Sequence, residues 1–334
     1  MEQLSYPKGD SIFITGATGL VGAQFIRKLL GEGYRVVALR RKEVPDPWLK
    51  EIDDQIEWRL GDINDVQSLL EAMNGCQHVI HAAAMISFLP KRRQLMMETN
   101  IQGTANMINV ALELKMASFV HVSSVSSLGR YKMDGIIDES KQWKDHKQNT
   151  GYAISKYKAE LEAYRGFHEG LNVLIVNPAT VIGYSDWTRG SSRMFQLAYK
   201  GNKFAPKGRM GFIMVEDVVD LTLKLLKRKC FGERFILTAE QHSFTDILGM
   251  VAKGFNKRPP TLTVTPFLAG FAWRMHAVQS WFTGLEPGIS KETARYTQYD
   301  YHYSNTKVMH AVDHKLRDVE SGILEVCAKY LNQK

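Results

Sequence analysis

Three glycines at three-residue intervals lie between an apolar run and a helical pattern near the start of this chain. Gly16, Gly19 and Gly22 follow the apolar residues 12–15, and the helical pattern after them ends near Gly31. Glycines at this spacing let the backbone approach a pyrophosphate, whose charge the helix N-terminus stabilises. The place of the motif between a strand and a helix makes the signal more specific. We therefore predict a dinucleotide-binding βα unit, the alternative being a tight turn that binds nothing.

Short apolar runs alternate with helical patterns through the first half of the chain. Continuous apolar runs are typical of buried parallel strands, and helix-length spacers between them indicate crossover connections. The predicted fold class is α/β, a Rossmann-type doubly wound parallel sheet with a smaller C-terminal α/β substrate lobe. The predicted strands are residues 12–15, 36–39, 79–83, 119–123 and 173–177. We also expect a helix that is capped by Asn64 and ends before Gly75.

The alternation weakens after residue 177, where we expect the chain to leave the sheet and later return. The Rossmann domain is predicted to comprise residues 1–177 and about 212–238, and the substrate lobe residues 178–211 and about 239–334. An aromatic-rich last segment suits an apolar or aromatic substrate, although such side chains more often form core. Its aromatic residues include Phe267, Phe271, Trp273, Trp281, Phe282, Tyr299, Tyr301 and Tyr303.

The composition argues against several other classes of protein. The chain has 44% hydrophobic and 23% charged residues, as globular proteins do, and it lacks a clean apolar span of about 20 residues. Its net charge of +8 comes from scattered basic residues without a nucleic-acid-binding motif. The three cysteines and ten histidines form neither a C-x-x-C nor an H-E-x-x-H motif. With no signal-peptide pattern, we expect a cytoplasmic protein without nucleic acid, membrane or metal as a partner.

Basic residues follow the second apolar run, at Arg40, Arg41 and Lys42. Dinucleotide folds often carry an acidic residue near this point, which binds the adenosine ribose hydroxyls. A carboxylate would repel a 2′-phosphate, whereas guanidinium groups bind it through charge-assisted hydrogen bonds. The sequence thus predicts NADP(H) in preference to NAD(H). The alternative is that these side chains only extend into solvent at a strand end.

Tyr152 and Lys156 form a Y-x-x-x-K pair, whose spacing puts both side chains on one face of a helix. The same spacing recurs at Tyr199/Lys203 and Tyr303/Lys307. Only Tyr152 opens a long helical pattern, and it lies downstream of a predicted strand that leads into Ser124. Because open α/β sheets bind ligands at such strand ends, the pair at Tyr152 is the candidate for chemistry.

In their order along the chain, these motifs resemble those of the extended short-chain dehydrogenases/reductases of the NAD-dependent epimerase/dehydratase superfamily. Residues 62–63, 81–84, 99–104 and 177–183 match as well, so the resemblance covers roughly the first 220 residues. Taken alone, Asn100 and residues 82–84 would be interpreted as capping and packing residues. The motifs and the resemblance together predict that the cofactor is bound by Gly16, Thr18, Gly19, Leu20, Val21, Gly22, Arg40, Arg41, Asp62, Ile63, Ala82, Ala83, Ala84, Asn100, Tyr152, Lys156, Pro178, Thr180 and Val181.

The predicted catalytic residues are Ser124, Tyr152 and Lys156. A phenol with an ordinary pKa of about 10 needs a cationic neighbour for proton transfer at neutral pH, and Lys156 can supply that charge. Its ammonium can also donate to the nicotinamide ribose. Tyr152 would give its proton to the oxygen that gains negative charge, and Ser124 would donate a hydrogen bond to that oxygen. The resemblance favours Ser124 over Ser123, which stays an alternative.

Departures from the family pattern narrow the expected activity. Ser124 is followed by Val125 and Ser126 where dehydratases resembling this family have an acidic pair, so a sugar dehydratase is not expected. Nucleotide-sugar enzymes use an arginine where this chain has Met210, but a shift of one position would place Arg209 there. Residues 38–41 and 177–183 are more similar to the dihydroflavonol-4-reductase-like and hydroxysteroid-dehydrogenase-like branch.

The function predicted is hydride transfer between NADP(H) and a carbonyl or secondary alcohol of a small, apolar or aromatic substrate. A nucleotide-sugar epimerase with retained NAD is one alternative. A non-catalytic NADP-binding redox sensor is another, which the Tyr/Lys pair disfavours. The resemblance also implies a homodimer formed through helices at about residues 100–114 and 152–167.

Overall fold

The computed structural model describes residues 7, 9–43, 47–129, 135–265, 267–271, 273–275 and 290–332. Two aromatic residues of the expected substrate lobe, Trp281 and Phe282, lie outside these ranges. No helix in the described ranges has the length and apolar character needed to cross a membrane.

Seven parallel strands form the large sheet, in the order β10-β6-β5-β4-β1-β2-β3. They are β1 (Ser11–Thr15), β2 (Arg35–Arg40), β3 (Glu57–Leu60), β4 (His78–His81), β5 (Ser118–Val122), β6 (Val173–Pro178) and β10 (Arg234–Leu237). The chain runs outward from β1 to β3 and then back across β4, β5 and β6. The predicted Rossmann-type parallel sheet is confirmed.

Two small sheets lie outside the large one. Strands β7 (Thr180–Ile182), β9 (Arg209–Met214) and β11 (Glu240–Ser243) form a three-stranded sheet with β9 in the middle. Strands β8 (Phe204–Pro206) and β12 (Leu262–Val264) form a parallel pair. After β9 the chain returns to the large sheet, because β10 pairs with β6. The division into a Rossmann domain and a substrate lobe stays a proposal.

Helices cover both faces of the large sheet. Along β1, Ile12 and Ile14 pack with apolar residues of α1 and α7 on one face, and Phe13 packs with those of α2, α4 and α5 on the other. This arrangement explains the continuous apolar runs of the inner strands. The helices are α1 (Leu20–Gly31), α2 (Val66–Met73), α3 (Arg93–Met97), α4 (Gly103–Glu113), α5 (Gly151–His168), α6 (Arg193–Tyr199), α7 (Val215–Lys227), α8 (Phe244–Gly254), α9 (Lys291–Tyr296), α10 (Thr306–Ala311) and α11 (Val319–Asn332).

Helix α2 corrects one expectation about capping. Its N-cap is Asp65, whose carboxylate accepts from the backbone N–H groups of Gln67 and Ser68. The expectation that Asn64 caps this helix was wrong. The backbone N–H of Asn64 instead donates to the Asp62 carboxylate, so Asn64 lies in the turn one residue before the cap.

The aromatic C-terminal segment divides between core and surface. Tyr301 and Tyr303 are buried in a cluster with Phe212 of β9 and residues of α8 and α11. Phe267 and Phe271 are exposed instead, with 84% of the Phe267 surface accessible. The aromatic residues of this segment therefore do not form one common pocket wall.

Candidate active site

Gly16 and Gly22 are required by the packing of the chain itself. Gly16 has a φ of +70°, and a Cβ atom on it would lie 2.6 Å from the carbonyl carbon of Ala82. A Cβ atom on Gly22 would lie 2.2 Å from the carbonyl oxygen of Gly16. Gly16 allows the loop to pack against the end of β4. Gly22 allows the start of α1 to pack against the loop.

Gly19 has a different constraint. Its φ of −88° suits any residue, and a Cβ atom there would meet only the Gly16 carbonyl oxygen, at 3.2 Å. Gly19 is also the N-cap of α1, whose first turn carries no acidic residue. The first N–H groups of a helix, here those of Leu20, Val21 and Gly22, have no acceptor within the helix. The loop thus fits the pyrophosphate of a dinucleotide, because it offers donors and no side chain that would keep the group away.

Arg40, the last residue of β2, has a guanidinium donor that is not satisfied within the described part of the chain. Its guanidinium carbon lies 5.3 Å from the ring centroid of Trp58 on β3, a distance at which cation and ring attract. The Nε atom of Arg40 is buried without a hydrogen-bond partner in the described part of the chain. Arg41, next to it, is exposed. An unpaired guanidinium donor at this strand end fits an adenosine 2′-phosphate.

Asp62 and Ile63, which were expected to bind the cofactor, follow the end of β3. Asp62 is partly exposed, and one of its carboxylate oxygens accepts from the Asn64 backbone N–H at 2.9 Å. Ile63 is buried, and its carbonyl oxygen accepts from Asn106 Nδ2 at 2.9 Å. Ile63 also packs closely against Gly103 at the start of α4.

Asn100 lies in a π-helical turn (Glu98–Gln102) between α3 and α4, and its side chain bridges two parts of the site. Its Oδ1 accepts from the Met85 backbone N–H at 2.7 Å, and its Nδ2 donates to the Met85 carbonyl and to Ser155 Oγ, both at 2.9 Å. The side chain therefore joins the loop after β4 to α5, the helix that carries Tyr152 and Lys156. This loop includes Ala82, Ala83 and Ala84. The contacts of Asn100 are those of a positioning residue.

A buried polar chain lies beneath the same loop. His81, the last residue of β4, contacts Thr15 Oγ1 through Nδ1 at 2.7 Å and Thr104 Oγ1 through Nε2 at 3.1 Å. Burial and, to a smaller extent, the charge of Lys156 lower the pKa of His81 to about 3, so the ring is neutral. The backbone N–H of Ala83 also donates to Thr15. The histidine holds the carboxyl ends of β1 and β4 against α4.

Helix α5 begins one residue before Tyr152. Thr150 caps it by accepting from the Ala153 N–H, and the carboxylate of Glu292 accepts from the Gly151 N–H at 3.2 Å. The C-terminal segment thus contacts the start of the helix that carries the candidate proton donor. The Tyr152 ring lies 6.2 Å from the ring of Phe88, edge to face.

Lys156 is buried, with 2% of its surface accessible, and its Nζ donates to the carbonyl oxygen of Val122 at 2.9 Å. Burial lowers its pKa to about 8, although the charge of Glu160 acts in the opposite direction. Val122 is the last residue of β5. The ammonium therefore lies at the strand end from which the chain continues into Ser123 and Ser124.

The two serines have different surroundings. Ser123 is buried, and its hydroxyl donates to the carboxylate of Glu160 at 2.7 Å. Ser124 is half-buried, and its hydroxyl contacts Ser126, donating to Oγ at 3.1 Å and accepting from N–H at 3.2 Å. Ser124 is thus the more accessible of the two, which supports its choice as the candidate catalytic serine.

The other two Y-x-x-x-K pairs lie elsewhere. Tyr199 packs against Trp187 and Phe255, away from the strand ends. Tyr303 is buried in the C-terminal core, and Lys307 forms an ion pair with Glu233.

Pro178 is the last residue of β6, and Thr180 and Val181 belong to β7 of the three-stranded sheet. Thr180 Oγ1 lies 3.3 Å from the sulfur of Met210 on β9. Met210 is buried, whereas Arg209 before it is exposed. The alternation of side chains along β9 therefore turns methionine toward Thr180 and arginine away from it.

Three residues near the site were not singled out from the sequence. The ring centroid of Phe88 lies 6.2 Å from that of Tyr152 and 5.4 Å from that of Tyr296. Glu160 is a buried carboxylate one turn after Lys156. The signal for Glu160 was an acidic residue one turn after Lys156, on the face of α5 that also carries Ala159 and Ala163. Phe88 and Tyr296 had no such signal, because distant segments bring them together.

Asp217, Asp220 and His314 also lie close together, with ligand-type atoms within 4.8 Å of one another. Arg317 forms ion pairs with both carboxylates, and Lys28 forms one with Asp220. These cations already neutralise the cluster, which joins α7 to the segment before α11.

The comparisons with known proteins agree with this geometry. The family model described as "NAD dependent epimerase/dehydratase family" matches residues 12–235. The chain is 32% identical over 308 residues to a protein of Synechocystis sp. provisionally named dihydroflavonol 4-reductase, covering 90% of this chain and 88% of that protein. It is 31% identical over 268 residues to cinnamoyl-CoA reductase 1 of Petunia hybrida, covering 75% and 79% respectively.

Solved structures show the same fold. The crystal structure of gox2253 superposes with a TM-score of 0.82 at 26% identity, covering 97% of this chain and 99% of that one. The dTDP-glucose 4,6-dehydratase DesIV of Streptomyces venezuelae, solved with NAD bound, superposes with a TM-score of 0.77 at 18% identity, covering 96% and 97%. At that identity the second likeness concerns the fold alone.

Proposed function

The chain belongs to the NAD dependent epimerase/dehydratase family, and from that premise we propose that it is an NADP(H)-dependent oxidoreductase acting on a small apolar or aromatic carbonyl compound or secondary alcohol. The family and the relatives establish the coarser class, which is NAD(P)-dependent reductase, epimerase or dehydratase chemistry. The observation that carries the finer proposal is that Lys156, one turn after Tyr152 on α5, reaches the carboxyl end of β5, two residues before Ser124.

In the proposed reaction the bound nicotinamide supplies or accepts the hydride. During reduction, Tyr152 gives its phenolic proton to the carbonyl oxygen as negative charge develops there. The positive charge of Lys156 favours loss of the phenolic proton, and Ser124 donates a hydrogen bond to the same oxygen. Oxidation of an alcohol uses the same groups in reverse, with Tyr152 accepting the proton.

The residues that would hold the dinucleotide are the glycine loop and the strand ends beside it. Gly19 and the N–H groups of Leu20 and Val21 suit the pyrophosphate. The unpaired Nε of Arg40 supports NADP(H) over NAD(H), because a 2′-phosphate would satisfy it. Arg41 is exposed next to it and adds positive charge.

The surroundings of Tyr152 support an apolar or aromatic substrate. The ring of Phe88 lies beside the phenol that would protonate the substrate oxygen, and the ring of Tyr296 packs against Phe88. Binding sites for small apolar ligands are mostly lined by such side chains, with a few polar groups that fix orientation. The names of two relatives, a dihydroflavonol reductase and a cinnamoyl-CoA reductase, agree with aromatic carbonyl compounds.

A nucleotide-sugar epimerase is less well supported. That activity would require an arginine near Thr180 for the diphosphate. Met210 contacts Thr180, and Arg209 is exposed with its guanidinium 3.4 Å from the Gln241 carbonyl. Thus the arrangement along β9 favours the oxidoreductase. The redox-sensor alternative has no observation of its own.

The proposal is tested by following nicotinamide absorbance with a panel of aryl and alkyl aldehydes, ketones and secondary alcohols, each with NADP(H) and NAD(H). We expect turnover of aryl or apolar carbonyl compounds, with a higher kcat/KM for NADPH than for NADH. An epimerase would copurify with NAD and bind uridine or thymidine diphosphates. Tight binding of these diphosphates without turnover of any panel member would contradict the proposal.

We also propose a homodimer formed through α4 and α5. The two helices pack together where Gly166 lies against Ile108, and Leu161 is exposed on α5. Analytical ultracentrifugation of the wild type and of Leu161→Glu tests this assembly, with a dimer expected for the first and a weakened dimer for the second. A cytoplasmic location is part of the same proposal.

A further inference from the structure

Helix α5 buries a carboxylate at Glu160, which is 2% exposed. Its Oε2 atom accepts hydrogen bonds from Ser123 Oγ (2.7 Å), Ser127 Oγ (2.7 Å) and Asn177 Nδ2 (2.8 Å). Its Oε1 atom accepts from Arg234 Nη1 at 2.9 Å. One carboxylate thus joins α5 to the ends of β5 and β6 and to the edge strand β10.

Stability alone does not account for this network. A buried ion pair stabilises a fold no better than apolar residues of similar volume, because removing charges from water is unfavourable. Elsewhere α5 buries Ala153, Ala159 and Ala163. The Glu160 carboxylate accepts hydrogen bonds from four donors at this position. This arrangement indicates a role in positioning the segments to which those donors belong.

The donors to Glu160 hold the turn that carries Ser124. Ser127 Oγ lies 2.8 Å from the Ser124 carbonyl oxygen, and Asn177 Nδ2 lies 3.2 Å from the same oxygen. Asn177 also donates to Ser127 Oγ at 2.9 Å. Since Ser127 has one hydroxyl proton and Asn177 two amide protons, these contacts share protons, and the carboxylate is the strongest acceptor among them. The charge of the Glu160 carboxylate therefore determines which hydrogen bonds fix the turn over residues 123–127.

Glu160 also contributes charge at Lys156. The burial of that ammonium favours its neutral form, and the carboxylate favours the charged form. Other groups that act on Lys156 or Glu160 are His81 from β4, His121 from β5, Tyr164 from α5 and Arg234 from β10. Burial keeps the pKa of both histidines low, so they are neutral at physiological pH.

We propose that Glu160 is a positioning residue of the active site, which orders the turn carrying Ser124 and holds a negative charge beneath Lys156. The inference rests on the proposed function, because it assigns Glu160 a part in the reaction of Tyr152, Lys156 and Ser124. It concerns a residue that touches neither substrate nor cofactor.

The test compares Glu160→Gln and Ser127→Ala with Glu162→Gln, a control on the same helix whose carboxylate pairs with Arg165. Turnover is measured with NADPH and the carbonyl compound from the panel that the wild type reduces fastest. For Glu160→Gln we expect kcat to fall about 10- to 100-fold, with KM and the NADPH Kd changed less than about threefold. The alkaline limb of its kcat profile moves to lower pH, since Lys156 loses its proton more easily. Ser127→Ala lowers kcat without moving that limb, and Glu162→Gln changes neither.

Hydrogen exchange provides a readout that needs no substrate. The backbone N–H groups of Ser127 and Gly129 donate to the carbonyls of Ser124 and Ser126 within this turn. We expect both to exchange faster in Glu160→Gln than in the control. If Glu160→Gln does not fold, Ser127→Ala and Ser123→Ala provide the same exchange and kcat measurements.

Unchanged kcat, unchanged pH profile and unchanged exchange in folded variants would overturn the inference. Tyr152→Phe separates this failure from failure of the proposed function. If Tyr152→Phe loses turnover while Glu160→Gln behaves as wild type, only the role of Glu160 is wrong. If Tyr152→Phe also retains turnover, the proposed function itself is wrong.

Discussion

Lys156 Nζ donates a hydrogen bond to the carbonyl oxygen of Val122, 2.9 Å away, at the last residue of β5. Through this bond one candidate catalytic residue joins the helix that carries Tyr152 to the strand that leads into Ser124. The ammonium is buried, so its charge acts in a medium where electrostatic effects are stronger than in water. The relationship gives the site a definite pH dependence.

The rate of carbonyl reduction is expected to fall as the pH rises through about 8. Burial lowers the pKa of Lys156 to about 8, and the reaction requires its charged form. The charged form predominates below that pKa, so the rate is lost on the alkaline side. The measurement is kcat at saturating NADPH from about pH 6 to pH 10. A rate that stays constant across this range would mean that Lys156 does not supply the charge.

Gly19→Ala should lower dinucleotide affinity while leaving the fold intact. A Cβ atom on Gly19 meets one backbone oxygen at 3.2 Å and otherwise open space, beside the N–H groups proposed to bind the pyrophosphate. Gly22→Ala is the matched comparison, since its Cβ atom would lie 2.2 Å from backbone and should lower Tm by several degrees. NADPH titration and thermal unfolding of both variants distinguish the two roles. Equal NADPH affinity in Gly19→Ala and wild type would argue against a pyrophosphate at this loop.

Arg40→Gln should reduce the affinity for NADPH about tenfold or more and leave that for NADH nearly unchanged. The unpaired Nε of Arg40 is the donor proposed to bind the 2′-phosphate. Arg35→Gln is the control, because Arg35 lies on the same strand and pairs with Glu57. Fluorescence titrations with both nucleotides provide the ratio of the Kd for NADH to the Kd for NADPH. Tighter binding of NADH than NADPH by the wild type would refute the cofactor preference.

Phe88→Ala and Tyr296→Ala should raise KM for aryl carbonyl substrates by about 10-fold, with a smaller effect on short alkyl substrates. Phe88 lies beside Tyr152, and Tyr296 packs against Phe88, so loss of either ring would remove apolar contact area from the proposed substrate site. Phe267→Ala is the control, because Phe267 is exposed. Steady-state kinetics with paired aryl and alkyl aldehydes measure the difference. An equal rise in KM for aryl and alkyl substrates would indicate that the two rings only contribute to the packing of the protein.

The large sheet could be predicted from the sequence because its inner strands are continuous apolar runs. Strand β3 was not predicted, since it is an edge strand of only four residues with a mixed sequence, Glu57–Leu60. The three-stranded sheet of β7, β9 and β11 was not predicted either. Its strands β9 and β11 pair across an intervening helix and strand, and no local periodicity indicates such pairing.

The same distinction applies to the candidate site. Residues in local motifs could be predicted, whereas contacts between distant segments could not. Gly16, Tyr152 and Lys156 belong to motifs within one strand–helix unit or one helix, so spacing was enough to single them out. Phe88 and Tyr296 meet only because α9 packs near the loop after β4, at a separation of about two hundred residues. Asn100 was expected beside the cofactor, but the exact partners of its amide required the fold.

The most direct test of the account is Tyr152→Phe, which removes one hydroxyl from the candidate proton donor and keeps the ring. Positioned general acid catalysis is worth about 10²- to 10⁴-fold, so we expect kcat to fall by that factor while the Kd for NADPH changes less than about twofold. The kcat of the variant is compared with that of wild type on the same carbonyl substrate. Loss of turnover with cofactor binding intact is the predicted result, and an unchanged kcat would contradict the account.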